Sequence, residues 1–467
     1  MSMGKRQRQQ QGILFVAAAD LAQQGGHPFY ERVNEVLDRG GFDDYVESVC
    51  QVYYADELGR PSIPPGVYFR MLMIGYHEGL DSERGIAWRV ADSLSLRSFL
   101  GYTLADDTPD HSSLSRIRGR LPLETHEQVF TWMTALLARA GLVTGKTIGI
   151  DATTLEANAA LRSIVRRDTG ESYEAFLTRL AQASGIETPT REDLAKIDKH
   201  RKHKGNNADW EHPHDPDAKI TKMKDGRTHL AHKAEHAVDL DSGAVVAVTV
   251  QPADEGDTTT WRQTVETACQ TLNDAKQDPA AAEQLNEEVV EEVVNDKGYH
   301  SNQVLTDLQE IGIRSYTSEP DRGRRRWQGK EAARDAVYRN RRRVRGERGK
   351  RLLRRRGELI ERSFAHLYET GAMRRTHLRG HQNILKRLLV HAAGFNLSLL
   401  MRRAFGIGKP KSLQSASAAA LSALLRILSL CIPSRRCHRP PTRPTPAPPW
   451  PQTPANGMRA AAIQMYS

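Results

Sequence analysis

From Gly12 to the neighbourhood of Ala140 the apolar positions recur three and four apart, the period of helices that bury one face. Val67, Met71, Ile74 and Leu80 form one stripe and Ile86, Ala87 and Val90 a second. Val129, Phe130, Met133, Leu136 and Leu137 form a third, closed by Gly141. The pattern predicts an all-helical domain over residues 1–140. Ahead of the third stripe, DDTPDHSSLSRIRGRL offers Asp110 or Ser112 as the cap of a short helix carrying Arg116, Arg118 and Arg120. Such a helix either meets phosphates or presents solvated arginines.

The period then shortens. Thr147 to Asp151 is a β-branched run that predicts a strand, Glu156 to Ser184 a charged helix, and 188–225 a polar, partly ordered excursion. HLAHKAEHAVDLDSGAVVAVTVQPAD predicts a hairpin turning at Asp239 to Gly243. A helix over Thr258 to Ala275 follows, then a strand over Glu292 to Asp296. Next come a helix capped by Ser301 and ended by Gly312, a strand over Ile313 to Thr317, and a helix around Glu361. Leu385, Leu388, Leu389 and Ala392 mark one more helix as core. Strand, hairpin, helix, strand, helix, strand and helix, in that order, describe a mixed sheet covered by helices, the order of the RNase H-like fold. The expected class is α+β: a helical DNA-binding domain (1–140), an RNase H-like domain (141–405) with a basic insertion at 320–356, and a disordered Pro/Ala-rich tail (406–467).

Charge sharpens the picture. The chain carries a formal +10, and residues 322–356 alone hold 17 Lys and Arg against Glu331, Asp335 and Glu347, so the remainder is net negative. A cationic block of this kind points to a polyanion met by one region. Trp327 and Tyr338 within it are candidates for stacking on a base. Four cysteines in no paired spacing suggest neither disulfides nor zinc, which fits a cytoplasmic protein. The run Ala416 to Ile432, interrupted by Arg426 and serines, falls short of a membrane span, so no membrane partner is expected. His229, His232 and His236 would share a face on a helix but not on a strand, so a metal role for them is disfavoured.

Three separated acids carry the candidate chemistry. Asp151 and Asp296 each end a short apolar run, and Glu361 lies in an amphipathic helix. Carboxylates from two strands and a helix are what divalent cations working on phosphodiesters need. Glu358 and Glu369 are rivals for the third place. Glu361 is preferred because it shares a helical face with Phe364, Ala365 and Tyr368.

With these stretches in view, the chain resembles the DDE transposases of bacterial insertion sequences. The resemblance is carried by PDHSSLSRIR, GIDATTLEANAA, HDPDAKITKMKDG, AVDLDSGAVVAVTVQPADEGDTTT, VNDKGYHS and ERSFAHLYETGAMRRTHLRGHQN, spread over residues 63–403. It implies Asp151, Asp296 and Glu361 as catalytic, metal-binding acids holding two Mg²⁺ ions, with Mn²⁺ as a substitute. Relatives with this core carry a tyrosine, an arginine and a lysine around the glutamate. Here those places hold Arg354, Gly357 and Tyr368, so the phosphate-holding roles pass to Arg354, Arg356, Arg362 or Arg374. Further DNA contacts are expected from Arg116, Arg118, Arg324, Arg325, Arg326, Arg341, Arg342 and Arg343. The implied activity is cleavage at terminal inverted repeats and strand transfer into target DNA by a homodimer at the nucleoid. The competing expectation is a catalytically silent DNA-binding derivative.

Overall fold

The computed structural model describes residues 26–55, 62–201, 205–223, 225–321, 323 and 325–411. The run from Gly12, Arg324, the Ala416 to Ile432 stretch and the Pro-rich tail lie outside the described residues.

The first part is helical, as the stripes predict: α1 (Pro28–Arg39), α2 (Phe42–Cys50), α3 (Pro65–Glu78), α4 (Glu83–Ala91), α5 (Leu94–Phe99), α6 (His111–Arg120) and α7 (Leu123–Arg139). Ser82, Ser93 and Asp110 cap α4, α5 and α6 by accepting the amide N–H groups of Gly85, Leu96 and Ser113. Of the two candidate caps for α6, Asp110 is therefore the one used.

The sheet begins with β1 (Thr147–Glu156), which runs five residues beyond the predicted Asp151. It is followed by a two-residue ladder of β2 (Val165–Arg166) with β3 (Trp210–Glu211), between which lie α8 (Tyr173–Ala183) and α9 (Arg191–His200). The charged helix expected from Glu156 is thus confined to α8. The second half of β1 is polar yet stays extended because it is paired with β5 as far as Glu156. The polar excursion is also more ordered than its composition suggests: a Thr190/Asp193 capping box starts α9.

β4 (Lys219–Lys222), β5 (Thr228–Asp239) and β6 (Val245–Pro252) come next, then α10 (Asp257–Ala275), the short α11 (Pro279–Ala282), β7 (Glu292–Asn295), α12 (Asn302–Glu310) and β8 (Arg314–Thr317). The spatial order is β6, β5, β1, β7, β8. β1 is antiparallel to β5, which is antiparallel to β6, whereas β1, β7 and β8 run parallel. This is the RNase H-like arrangement expected from the element order. Ala231 pairs with Glu156 on one side and Lys219 on the other, so β4 continues the β6 edge.

The hairpin turn is fixed from within. The buried Asp239 carboxylate accepts the N–H groups of Gly145, Asp241 and Ser242, each at 2.9 Å. Both sheet edges are closed by asparagine amides that mimic a strand. Asn396 takes the N–H of Val245 at 2.9 Å and donates to its carbonyl at 2.8 Å, and Asn340 does the same to Thr317 at the same two distances. Closing an edge in this way removes unpaired backbone groups.

The basic stretch is not a loose insertion. It folds as α13 (Glu331–Arg345) and the first turns of α14 (Glu347–Phe364), because alternate positions such as Ala336, Val337 and Leu352 are apolar and buried. The last helix, α15 (His381–Phe405), is long and apolar enough to cross a membrane, but it packs against α3, α7 and β6 and is buried nearly all round.

Gly149, at the end of the β1/β7 pairing, sets how closely α14 lies on the sheet. A Cβ there would meet Leu240 at 2.8 Å, Arg356 at 3.0 Å and Ile360 at 3.2 Å. Gly149→Val is expected to cost about 1–3 kcal/mol through overpacking, seen as a lowered denaturant midpoint with unchanged slope; an unaltered midpoint would show that α14 can lift without cost.

Candidate active site

Two of the three acids are brought together by strand register. β1 and β7 pair as Thr147 with Glu292, Ile148 with Val293 and Gly149 with Val294. Two residues beyond the last pair stand Asp151, still on β1, and Asp296, one residue past the end of β7; the two parallel strands themselves run about 4.8 Å apart. β7 stops at Asn295 while β1 continues, so the edge of β1 opens here and the Asp151 side chain is 27% exposed. Ligands of open parallel sheets bind at such strand ends.

Asp296 is held by its own turn. Its Oδ1 accepts the N–H of Gly298 at 2.7 Å, and Tyr299, fully buried, donates its hydroxyl to Glu235 of β5 at 2.5 Å. Glu235 is in turn bonded by the hydroxyls of Thr260 and Thr264 on α10. The DKGY turn is therefore tied to the sheet and to α10, which orients Asp296 at the strand end.

Asp151 faces α14. Its Oδ2 pairs with Nη2 of Arg356 at 2.8 Å, and its Oδ1 accepts the N–H of Ala152 at 2.9 Å. Arg356 is almost fully buried and also donates from Nε and Nη2 to the Ile150 carbonyl, at 3.2 and 3.0 Å. Burial raises the Asp151 carboxyl above its ordinary pKa. The Arg356 guanidinium opposes the rise, and the carboxylates of Asp296 and Asp257 add to it.

Asp257, which the sequence reading passed over, is thereby part of the same neighbourhood. It opens α10 and pairs with the buried Lys233 of β5 at 2.7 Å. Its Oδ2 lies 2.6 Å, and the Oδ1 of Asp296 3.0 Å, from the point a Cβ on Gly298 would occupy. The two oxygens crowd one glycine, and any larger residue there would part them. The signal in the sequence was an acid at the first turn of a helix beside a glycine, which is also what an ordinary helix start looks like.

Glu361 is not brought to the pair. It is exposed on α14, and no hydrogen bond or ion pair of its carboxylate occurs among the described residues. The inner face of α14 is Leu352, Arg356, Leu359, Ile360, Ser363 and Phe364. The expectation that Glu361 shares an inward face with Ala365 and Tyr368 is corrected here: Ala365 is exposed and Tyr368 buried. The reason is a π-helical turn over Ala365–Glu369, closed by the N–H of Thr370 to the carbonyl of Ala365 at 3.0 Å. The wider turn shifts the helical phase, so Tyr368 rotates inward to reach His236 of β5 while Glu361 stays outside. The rivals fare no better: Glu358 pairs with Arg362, and Glu369 with Arg374.

The candidate phosphate-contacting arginines divide into two groups. Arg118 is held by Glu83, Arg325 by Glu319 and Asn302, and Arg341 by both oxygens of Glu319. Arg343 donates to the Ser315 carbonyl and hydroxyl, and Arg374 also reaches Thr153 and Thr154 of β1. These side chains build the fold rather than face solvent. Arg116 is exposed and bonded only to Ser112 of its own helix. Arg326, Arg342 and Arg354 are exposed with no hydrogen bond or ion pair among the described residues. Trp327 and Tyr338 are also engaged, beneath Arg325 and Arg341 respectively. His232 is paired with Asp215, and His236 with Ser363 and Tyr368, so the histidines of β5 are structural.

Among the described residues, no three His, Cys, Asp or Glu side chains are close enough to form a ready ion cage. Asp151 and Asp296 nevertheless suit a hard divalent cation. They are oxygen donors where adjacent strands part, and burial, with like charge from Asp296 and Asp257 added to it, holds Asp151 above its normal pKa, a cost that a cation relieves.

Two family models match the chain: Transposase domain (DUF772) over residues 18–120, and Transposase DDE domain over residues 207–397. The first covers most of the helical part; the second covers β4 to β8, Asp296 and α14. β1 and Asp151 fall between the two matches, so the place of Asp151 rests on the register of the sheet. No curated protein and no solved structure matches the chain.

Because the folded state raises the Asp151 pKa, it binds that proton more tightly than the unfolded chain does. The ionised carboxylate thus costs stability once pH exceeds the folded pKa, and the cost vanishes below the ordinary carboxylate range. Asp151→Asn is expected to be more stable than wild type at neutral pH by about 1 kcal/mol, with melting temperatures that converge near pH 3. A variant less stable at every pH would show that the Arg356 pair outweighs burial.

Proposed function

The chain belongs to the insertion-sequence DDE transposases, and from that premise we propose that it cleaves DNA at the terminal inverted repeats of such an element and joins the freed 3′ ends to target DNA. The observation that supports this most is the juxtaposition of Asp151 on β1 with Asp296 just past the end of the neighbouring parallel strand β7, each two residues beyond the last paired positions, Gly149 and Val294. Asp151 and Asp296 are the residues that would hold divalent metal, Mg²⁺ with Mn²⁺ as a substitute, in the two-ion arrangement. Bound there, the metal lowers the charge on the scissile phosphate and favours the oxyanion of the attacking group.

The protein's own part is positional. Arg356 fixes the Asp151 carboxylate from behind, and the Tyr299–Glu235 bond fixes the turn that carries Asp296. Lys233 balances Asp257. Arg326, Arg342 and Arg354 are free to meet phosphates of double-stranded DNA, and Arg116 on α6 extends the contact into the helical part. Glu361 joins the two aspartates only if α14 turns or slides once DNA and metal are present. Two ends must be held at once, which calls for a homodimer acting on nucleoid DNA in the cytoplasm, without a membrane partner.

Asp151→Asn and Asp296→Asn are each expected to lower metal-dependent cleavage of an end-bearing duplex about 10³-fold or more, the scale of losing a group that positions the reacting centre. Binding of that duplex in a mobility-shift assay should persist. Retained cutting by either variant rejects that residue's role. Glu361→Gln is expected to match them only if the rearrangement of α14 occurs.

A second outcome concerns binding. Replacing Arg326, Arg342 and Arg354 together by glutamine should flatten the salt dependence of DNA affinity, by roughly 0.9 log units per lost phosphate contact. Arg341→Gln and Arg343→Gln should lower thermal stability instead, and equal salt slopes for the triple variant and wild type would return these three arginines to mere solvation.

A further inference from the structure

Away from the paired aspartates, the helical part and the catalytic part meet at a cleft of about 390 Å³. It is lined by Asp81 to Arg84 at the start of α4, His111 and Arg118 on α6, Met373, His377 and Leu378 between the π turn and α15, and Arg387 of α15. Arg387 is 3% exposed, yet its guanidinium makes little use of its donors. Nη2 donates to the Leu80 carbonyl at 3.2 Å, while Nε and Nη1 have no hydrogen-bond partner among the described residues. A buried cation left so far from satisfied is costly unless something of opposite charge completes it. Burial brings its pKa down to about 10, which still leaves it charged at neutral pH.

The acids lining the cleft do not meet that demand. Glu83 is taken by Arg118, and Asp81 accepts a bond from His377 at 3.1 Å. Two features point instead to an anion from outside. The first turns of α4 and α6, helices of nine and ten residues, both contribute to the lining, and a helix start carries partial positive charge even though Ser82 and Asp110 each accept one of its N–H groups here. Arg84 adds an exposed cation at the rim. Space for Arg387 is secured by Gly75 of α3, where a Cβ would lie 2.4 Å from Nη2.

We infer that this cleft is a binding site for a phosphate group, with Arg387 as its buried anchor and the starts of α4 and α6 as its walls. It is distinct from the aspartate pair and does not depend on the cleavage chemistry. The phosphate is that of a free anion or the terminal phosphate of a DNA strand, since both present the same tetrahedral oxygens. An internal diester, flanked by sugars on both sides, fits a nearly buried guanidinium less well.

The test is calorimetric titration of the full chain with inorganic phosphate at constant ionic strength, with chloride as control. Wild type should bind phosphate, and Arg387→Met should bind it about tenfold more weakly or worse, the scale of a lost charge-assisted hydrogen bond. Arg84→Gln, at an exposed position, should weaken binding while keeping the fold, so the proposal stays testable if the buried variant does not fold. Parallel titrations with a 5′-phosphorylated and a 5′-hydroxyl oligonucleotide identify the source. A difference between them that disappears in Arg387→Met assigns a DNA end, and no difference assigns the free anion. No phosphate binding by wild type, or equal binding by wild type and both variants, overturns the site.

Discussion

One buried guanidinium holds the catalytic half of the molecule in register. Arg356 bonds the Ile150 carbonyl twice and the Asp151 carboxylate once, so it fastens α14 to the central strand at the position where the candidate chemistry lies. A buried ion pair of this sort is weak evidence for stability, because desolvation consumes most of the attraction. Its value is geometric. With Gly149 directly beneath, leaving no side chain in the way, the helix can approach closely enough for the guanidinium to reach both acceptors. The acid is thereby oriented, and its negative charge is only partly neutralised, which leaves it able to attract a cation.

Around that contact the fold spends polar groups in the core with little waste. Glu235, His236, Asp239, Asn340 and Asn396 are all fully or almost fully buried, and each has named partners: hydroxyls, turn amides or the free edge of a strand. In a low-dielectric interior an unpartnered polar group is expensive, so a satisfied network specifies one arrangement over its rivals. The two asparagine clamps show the logic well. Each sits on a helix, closes one outer strand, and so fixes the helix against the sheet as it removes an aggregation-prone edge. Unpartnered buried atoms occur elsewhere, among them both ring nitrogens of His77 and Nε of Arg118, but Arg387 leaves two nitrogens of one buried guanidinium unmet, which is why it calls for a ligand.

Most of the architecture was legible because its signals are local. The stripes of α3, α4 and α7, the Asp239 turn, the Ser301 cap and the short apolar runs of β7 and β8 each need only a few neighbouring residues. What could not be read depends on tertiary partners. The second half of β1 lacks the apolar run that marks the first and is extended because β5 pairs with it. The arginine-rich stretch reads as a basic insertion that meets a polyanion, but Glu319, Glu292 and Ser315 recruit several of its side chains into the structure. Asp151 and Asp296 could be singled out because each follows a short apolar run, and the fold sets them near each other. Asp257 was missed because its relation to Asp296 runs through Gly298, a contact that no spacing along the chain encodes.

The third acid illustrates a limit of helical counting. Periodicity assigns Glu361 to the face of Phe364, Ala365 and Tyr368 by assuming a constant turn, and the π turn at Ala365–Glu369 breaks that assumption. Such turns are uncommon and often mark functional positions, since the extra residue costs hydrogen-bond geometry. Here the turn allows Tyr368 to reach His236 and Arg374 to reach the end of β1, so the strain is repaid by contacts on its far side. Its near side is left with Glu361 facing outward beside Glu358 and Arg354. Like charge at Asp151 and Asp296 opposes a third carboxylate beside them, so the outward position of Glu361 is the one that electrostatics favours.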